Sequence, residues 1–139
     1  MAAAVRFLNP ATLAKPPGYT YVVETSGPGR TVYIAGQLGL MLDGKFAGVP
    51  GDFRAQATQA FENLKNALAA VGAGFAHVVK LNNYLVDIRA HLPIYREIRD
   101  AYVDVANPPA STTVEVSNLA LPGGLFEVEA VAVLPQLIV

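Results

Sequence analysis

The stretch from Asp52 to Val71 constrains this chain more than any other. Phe53, Ala57, Ala60, Phe61, Leu64, Leu68 and Val71 recur at steps of three and four, which places them on one stripe of an α-helix. Asp52 is positioned to cap its start and Gly72 to stop it. Such a stripe needs a second layer to cover it, and the flanking segments have the composition of strands. About Tyr19–Glu24 and Thr31–Ala35 precede the helix, with Ser26-Gly27-Pro28-Gly29 between them as a hairpin turn. Val78–Val86 follows it as a β-branched strand. A second helix over about Leu92–Val105 carries Tyr95, Ile98, Tyr102 and Val105 on one face, and Asn107-Pro108-Pro109 terminates it. Two strands, about Ser111–Ser117 and Leu125–Leu134, close the chain through Leu121-Pro122-Gly123-Gly124.

This order predicts a single α+β domain over residues 1–139. Hairpins pair adjacent strands, helices cross between others, and the result is a mixed β-sheet with two helices packed on one face. Residues 1–18 read as a lead-in that ends in the breaker cluster Pro16-Pro17-Gly18. The other sheet face stays open, and composition suggests its use. Hydrophobic residues make up 53% and charged residues 15%, with mean hydropathy +0.35, against roughly 45–50% and about 25% in a typical soluble domain. A chain this short cannot bury that surplus alone, so the open face is expected to meet further copies of itself. No apolar run approaches the roughly 18–20 residues of a membrane span, so no membrane partner is expected. The start, MAAAVRFLNP, lacks the basic region and apolar core of a signal peptide. With no cysteine, disulfides, thiol catalysis and cysteine-containing metal sites are excluded. A net charge of −1 and a pI near 6.1 provide no basic field for nucleic acid. Together these features favour a cytoplasmic protein.

Candidate chemistry is concentrated near the C-terminus. Along the final strand Leu125, Glu127, Glu129, Val131 and Val133 point one way, and Phe126, Val128, Ala130 and Ala132 the other. A carboxylate among aliphatic side chains is pushed up in pKa and can handle protons. The plainer alternative is a solvated carboxylate near the sheet edge, which fits Glu129 less well because it sits deeper in the strand. Ser111, Thr113 and Glu115 share one face of the preceding strand, opposite Thr112, Val114 and Val116. Their hydroxyls are ordinary strand formers, and would line a polar pocket if their face coincided with that of Glu129. His77 and His91 have no partner at a metal or triad spacing and read as structural. No phosphate-loop or dinucleotide fingerprint is present.

Three segments occur in a telling order: AGQLGL (Ala35–Leu40), PASTTVEV (Pro109–Val116) and FEVEAVAV (Phe126–Val133). The long helix and GAGFAHVVKLNNYLVDI (Gly72–Ile88) lie between the first two. From about Gly18 to Leu134 the chain resembles the Rid family, also called YjgF or L-PSP. The resemblance implies a chorismate-mutase-like fold and a homotrimer with small-molecule sites in the clefts between subunits. It also implies hydrolysis of reactive 2-imino and enamino acids to 2-oxo acids and ammonia, with no cofactor and no metal. By the same resemblance Tyr19 lines the cleft, and Gly36 and Gln37 match the glycine-glutamine after the second strand. Ala35 stands where many members have serine, and Glu129 matches the glutamate that positions the hydrolytic water.

Two positions depart from the deaminase pattern. Ser111 stands where those enzymes clamp the substrate carboxylate with an arginine, and Thr113 where they often have cysteine. A serine has one donor and no charge, so it cannot reproduce the arginine fork; losing such a clamp costs about 1.5–3 kcal/mol. Arg96 reads as a solvated residue of the charged run Arg96-Glu97-Arg99-Asp100. The sharper alternative has Arg96 supplying the missing positive charge. Three functions follow. One is a Rid-type hydrolase in which Glu129 activates water and backbone amides near Gly36 hold developing charge. Another is a non-deaminating homologue that binds a small metabolite or serves a different pathway reaction, which Ser111 favours. An endoribonuclease, recorded in some family names, is disfavoured by the acidic pI and the absence of a basic stripe or paired histidines.

Overall fold

In the structure, a computed structural model describing residues 4–136, the helix signalled by the apolar stripe is α1 (Phe53–Ala69). Residues 1–3 and 137–139, the two ends of the expected domain, lie outside the described residues. The Asp52 carboxylate accepts the Ala55 N–H at 3.0 Å, as expected of its N-cap. The chain leaves the helix through Gly72, at φ +76°, with Ala73 N–H bonded back to the Leu68 carbonyl.

The remaining elements are β1 (Ala4–Leu8), β2 (Val22–Ser26), β3 (Gly29–Leu38), β4 (Val78–Leu85), α2 (Ile88–Tyr102), β5 (Ala110–Glu115) and β6 (Phe126–Pro135), with a 3-10 turn over Phe75–His77. Four strands form a mixed sheet in the order β3-β6-β4-β5. β6 runs antiparallel to both neighbours, and β5 runs parallel to β4 because α2 carries the chain back between them. Both helices cover one face. Phe126, Val128, Ala130, Ala132 and Leu134 of β6 point into this layer, with Leu81 and Leu85 of β4 and Phe53, Phe61, Leu64 and Leu68 of α1. The alternation expected for the final strand therefore holds over Phe126–Val133, whereas Leu125 lies just before β6 and packs against the core.

Four expectations need correction. The lead-in is not merely a lead-in, because β1 lies within it and pairs antiparallel with β2 as a separate two-stranded sheet. The turn at Ser26–Gly29 makes no hairpin, since β2 pairs with β1 and β3 with β6. Likewise β5 and β6 are not neighbours, for β4 lies between them. Turn residues report a local change of direction; strand partners are chosen by which apolar faces can be covered, and that choice is non-local. The second helix also starts and ends earlier than Leu92–Val105. The Glu115 carboxylate of β5 accepts the Ile88 N–H at 3.1 Å, satisfying a donor at the helix start from another element. Val105 lies beyond the helix and is exposed.

Candidate functional site

The segment before β2 is tied to the start of β5. Thr20 is buried; its hydroxyl donates to the Pro108 carbonyl and its N–H bonds the Pro109 carbonyl at 3.2 Å. This pinning sets Tyr19 and Tyr21 beside edge strand β5, their rings edge to face at 5.5 Å. Together with α2 they enclose a cavity of about 570 Å³. Tyr19, Arg96, Ser111 and Thr113 all line it, so four of the residues singled out from the sequence do meet. Lys80, Tyr95 and Arg99 line it too, and no carboxylate does. The cavity is therefore a cationic pocket with hydroxyls on its strand wall. Beneath Ser111 and Thr113, buried Asn83 donates through Nδ2 to Ser111 Oγ at 2.9 Å and to Thr113 Oγ1 at 3.2 Å.

Glu129, Gly36 and Gln37 lie elsewhere. In the register, Glu129 stands opposite Asn82 and Thr113 opposite Asn83, and Asn83 is buried on the helix side. Successive residues of a strand point to opposite faces, so Glu129 lies on the opposite face from the Ser111 and Thr113 hydroxyls, whereas Thr112 and Lys80, which also line the cavity, share the face of Glu129. The coincidence of faces considered from the sequence does not occur within one chain. On the open face Glu129 accepts a 2.6 Å hydrogen bond from the Tyr84 hydroxyl. That bond to a carboxylate is the main reason the Tyr84 phenol is held above its ordinary pKa. Glu129 also lines a shallow concavity with Tyr33, Ala35 and Asn82.

A Cβ at Gly36 would collide with the Glu127 carboxylate, so this glycine makes room for that side chain. Gln37 resumes the β3–β6 pairing after an irregularity between Ile34 and Gln37, and its amide donates to the Ala35 carbonyl at 2.9 Å. Burial, and secondarily Glu129, push the Glu127 carboxyl upward. The folded chain thus holds the Glu127 proton to higher pH than the unfolded chain does. That contribution to stability is complete below the ordinary carboxyl range and is lost as pH rises through the raised value. Glu127→Gln is accordingly expected to melt above wild type at neutral pH and to converge with it below about pH 4. A melting difference independent of pH would contradict this.

Both histidines serve the framework. His77 Nδ1 accepts the Gly74 N–H at 3.0 Å. His91 stacks on Phe53 at 4.2 Å between ring centroids and bonds the Val86 carbonyl. Among the described residues no group of three or more His, Asp or Glu is placed to hold a metal, and no helix is long and apolar enough to cross a membrane. The sequence reading missed the roles of Tyr84, Tyr95 and Arg99. For Arg99 a signal existed: it follows Tyr95 by four residues, so it shares that residue's inward face. Its membership in a charged run obscured this.

A two-helix α+β domain with a cationic pocket at one sheet edge and carboxylates on the open face defines the class of protein. The chain belongs to the family described as Endoribonuclease L-PSP, which it matches over residues 12–134. It is 38% identical to Protein DfrA of Myxococcus xanthus over 116 residues, covering 83% of this chain and 84% of that one. It is also 38% identical to the 2-iminobutanoate/2-iminopropanoate deaminase of Bos taurus over 108 residues, 75% of this chain and 73% of the other. Among solved structures, YyfB of the Rid family from Yersinia pestis superposes with a TM-score of 0.83 at 36% identity, covering 92% of this chain and 97% of that one. RidA from Psychrobacter sp. PAMC 21119 gives a TM-score of 0.68 at 32% identity, covering 86% and 90%. The fold is thus that of the Rid/YjgF proteins, as the resemblance implied.

Proposed function

We propose that this protein hydrolyses small 2-imino or enamino acids to 2-oxo acids and ammonia in clefts completed by a neighbouring copy. The observation that carries this reading is the separation of two half-sites. A carboxylate-free pocket with Lys80, Arg96 and Arg99 lies at the β5 edge, while Glu129 lies on the open sheet face. Glu129 does not line that pocket within one chain. A homotrimer that packs the pocket edge of one copy against the open face of the next brings them together. The open face suits such a contact, since Tyr33 and Val114 are exposed there.

In such a cleft the positive charge of the pocket attracts the substrate carboxylate. Glu129, oriented by Tyr84, takes a proton from water as the water oxygen adds to the imine carbon. The electron pair of the C=N bond moves to nitrogen, which receives that proton back from Glu129 to give a carbinolamine. Glu129 then takes the carbinolamine hydroxyl proton and passes it to nitrogen as the C–N bond breaks, so that ammonia leaves and the 2-oxo acid remains. Ser111 favours a second reading, a family member that binds a small carboxylate without deaminating it. The two separate in one assay: 2-iminobutanoate is generated enzymatically and its decay followed with and without this protein. Decay faster than in buffer is expected. No acceleration would reject hydrolysis and leave the binding reading. Sedimentation should show a trimer, and a stable monomer would exclude the composite site.

A further inference from the structure

Among the described residues Arg99 is the only buried charged side chain. A buried guanidinium is costly unless its donors are satisfied. Its Nε donates to Asp100 Oδ1 at 2.9 Å, and that carboxylate is half exposed. Its carbon lies 5.7 Å from the centroid of the Tyr95 ring. Its terminal nitrogens make no hydrogen bond among the described residues, although a guanidinium carries four of its five N–H donors there. Gly18, at φ +86°, lets the chain pass against the guanidinium where any Cβ would overlap it. The side chain is therefore held in one place with most of its donors unused.

A second observation points to the same spot. The Tyr95 hydroxyl is fully buried, lines the same cavity and makes no hydrogen bond of ordinary geometry, with Ser111, Thr113 and Arg99 as its polar neighbours. Unpartnered buried hydroxyls are uncommon because their desolvation is uncompensated. Both groups face a cavity that has no carboxylate in its wall. We propose that Arg99 and the Tyr95 hydroxyl are the carboxylate-recognising pair of this cavity, specific for a small 2-oxo or 2-imino acid. They do from α2 what Ser111 cannot do from β5. Exposed Arg96 then serves as a peripheral charge rather than the clamp. This inference rests on the proposed reading of the cavity as the substrate pocket.

The test uses 2-oxobutanoate as probe, titrated calorimetrically into the wild-type protein and its variants. Arg99→Met is expected to weaken binding about tenfold or more, the loss of a charge-assisted fork. Arg99→Lys should fall between it and wild type, and Arg96→Met should change affinity less than about threefold. Tyr95→Phe supplies an arm that does not depend on the Arg99 variants folding. It removes one oxygen that makes no hydrogen bond of ordinary geometry, so the fold is retained and affinity drops several-fold. Unchanged affinity in Tyr95→Phe, a loss confined to Arg96→Met, or no binding by wild type would each overturn the proposal. If 2-oxobutanoate binds through Arg99 but imine decay is not accelerated, hydrolysis fails and the clamp stands. If decay is accelerated equally by wild type and Arg99→Met, the clamp fails and hydrolysis stands.

Discussion

Glu129→Gln is expected to lower the rate of 2-iminobutanoate hydrolysis by about 10²–10⁴-fold, the span typical of removing a positioned general base. The amide keeps the size of the carboxylate and can still accept from the Tyr84 hydroxyl, which lies 2.6 Å from Glu129 Oε1. Folding and assembly should therefore be retained, and only the proton acceptor is lost. Binding of 2-oxobutanoate should be little changed, because Glu129 does not line the cationic pocket. Stopped-flow decay of the imine checks the rate and calorimetry checks the binding. A rate within a factor of three of wild type would remove Glu129 from the mechanism. The two readouts together separate chemistry from recognition, which the fold assigns to different elements.

Phe61→Ala is expected to cost about 3–5 kcal/mol of stability, the range for truncating a buried aromatic side chain. Phe61 has no solvent exposure and stands at the centre of an aromatic cluster. Its ring lies 5.2 Å from that of Tyr102, 5.7 Å from Phe126, 6.2 Å from Phe75 and 6.4 Å from Tyr95. The surrounding rings are anchored in α2, the 3-10 turn and the inner strand β6, so the cavity left behind cannot readily close. Against a total of about 5–15 kcal/mol for a typical domain, this is a large fraction. Urea denaturation should show a lower midpoint with a similar slope, and a cost under about 1 kcal/mol would contradict the packing described. The effect should reach the pocket as well, since Phe61 supports the ring of Tyr95.

The secondary structure was largely legible in the sequence, for local reasons. The stripe from Phe53 to Leu68, the Asp52 cap and the alternation of Phe126–Leu134 depend on helical and strand periodicity, which neighbouring residues set. The three quoted segments also carried the family, whose resemblance gave Tyr19 to the ligand cleft, and in the fold Tyr19, Ser111 and Thr113 line one pocket. Strand order was not legible. Gly27 and Pro28 announce a turn equally well whether the chain pairs with itself or passes into another sheet.

The candidate site divides along the same line. That Glu127 and Glu129 share a face with Val131 and Val133 follows from a period of two, and the sequence alone determined it. Which face that is relative to Ser111 and Thr113 depends on β4 lying between β5 and β6, and only the tertiary structure decided it. The burial of Arg99 was decided there as well. A charged run reads as solvated until a specific neighbour covers one member, and here the cover comes from Gly18 and Tyr95, one of them 81 residues away in the chain. Local periodicity determines where a side chain points along its own element. Only the packing of distant elements determines what it meets, because burial is a property of the surface that two elements remove from water together.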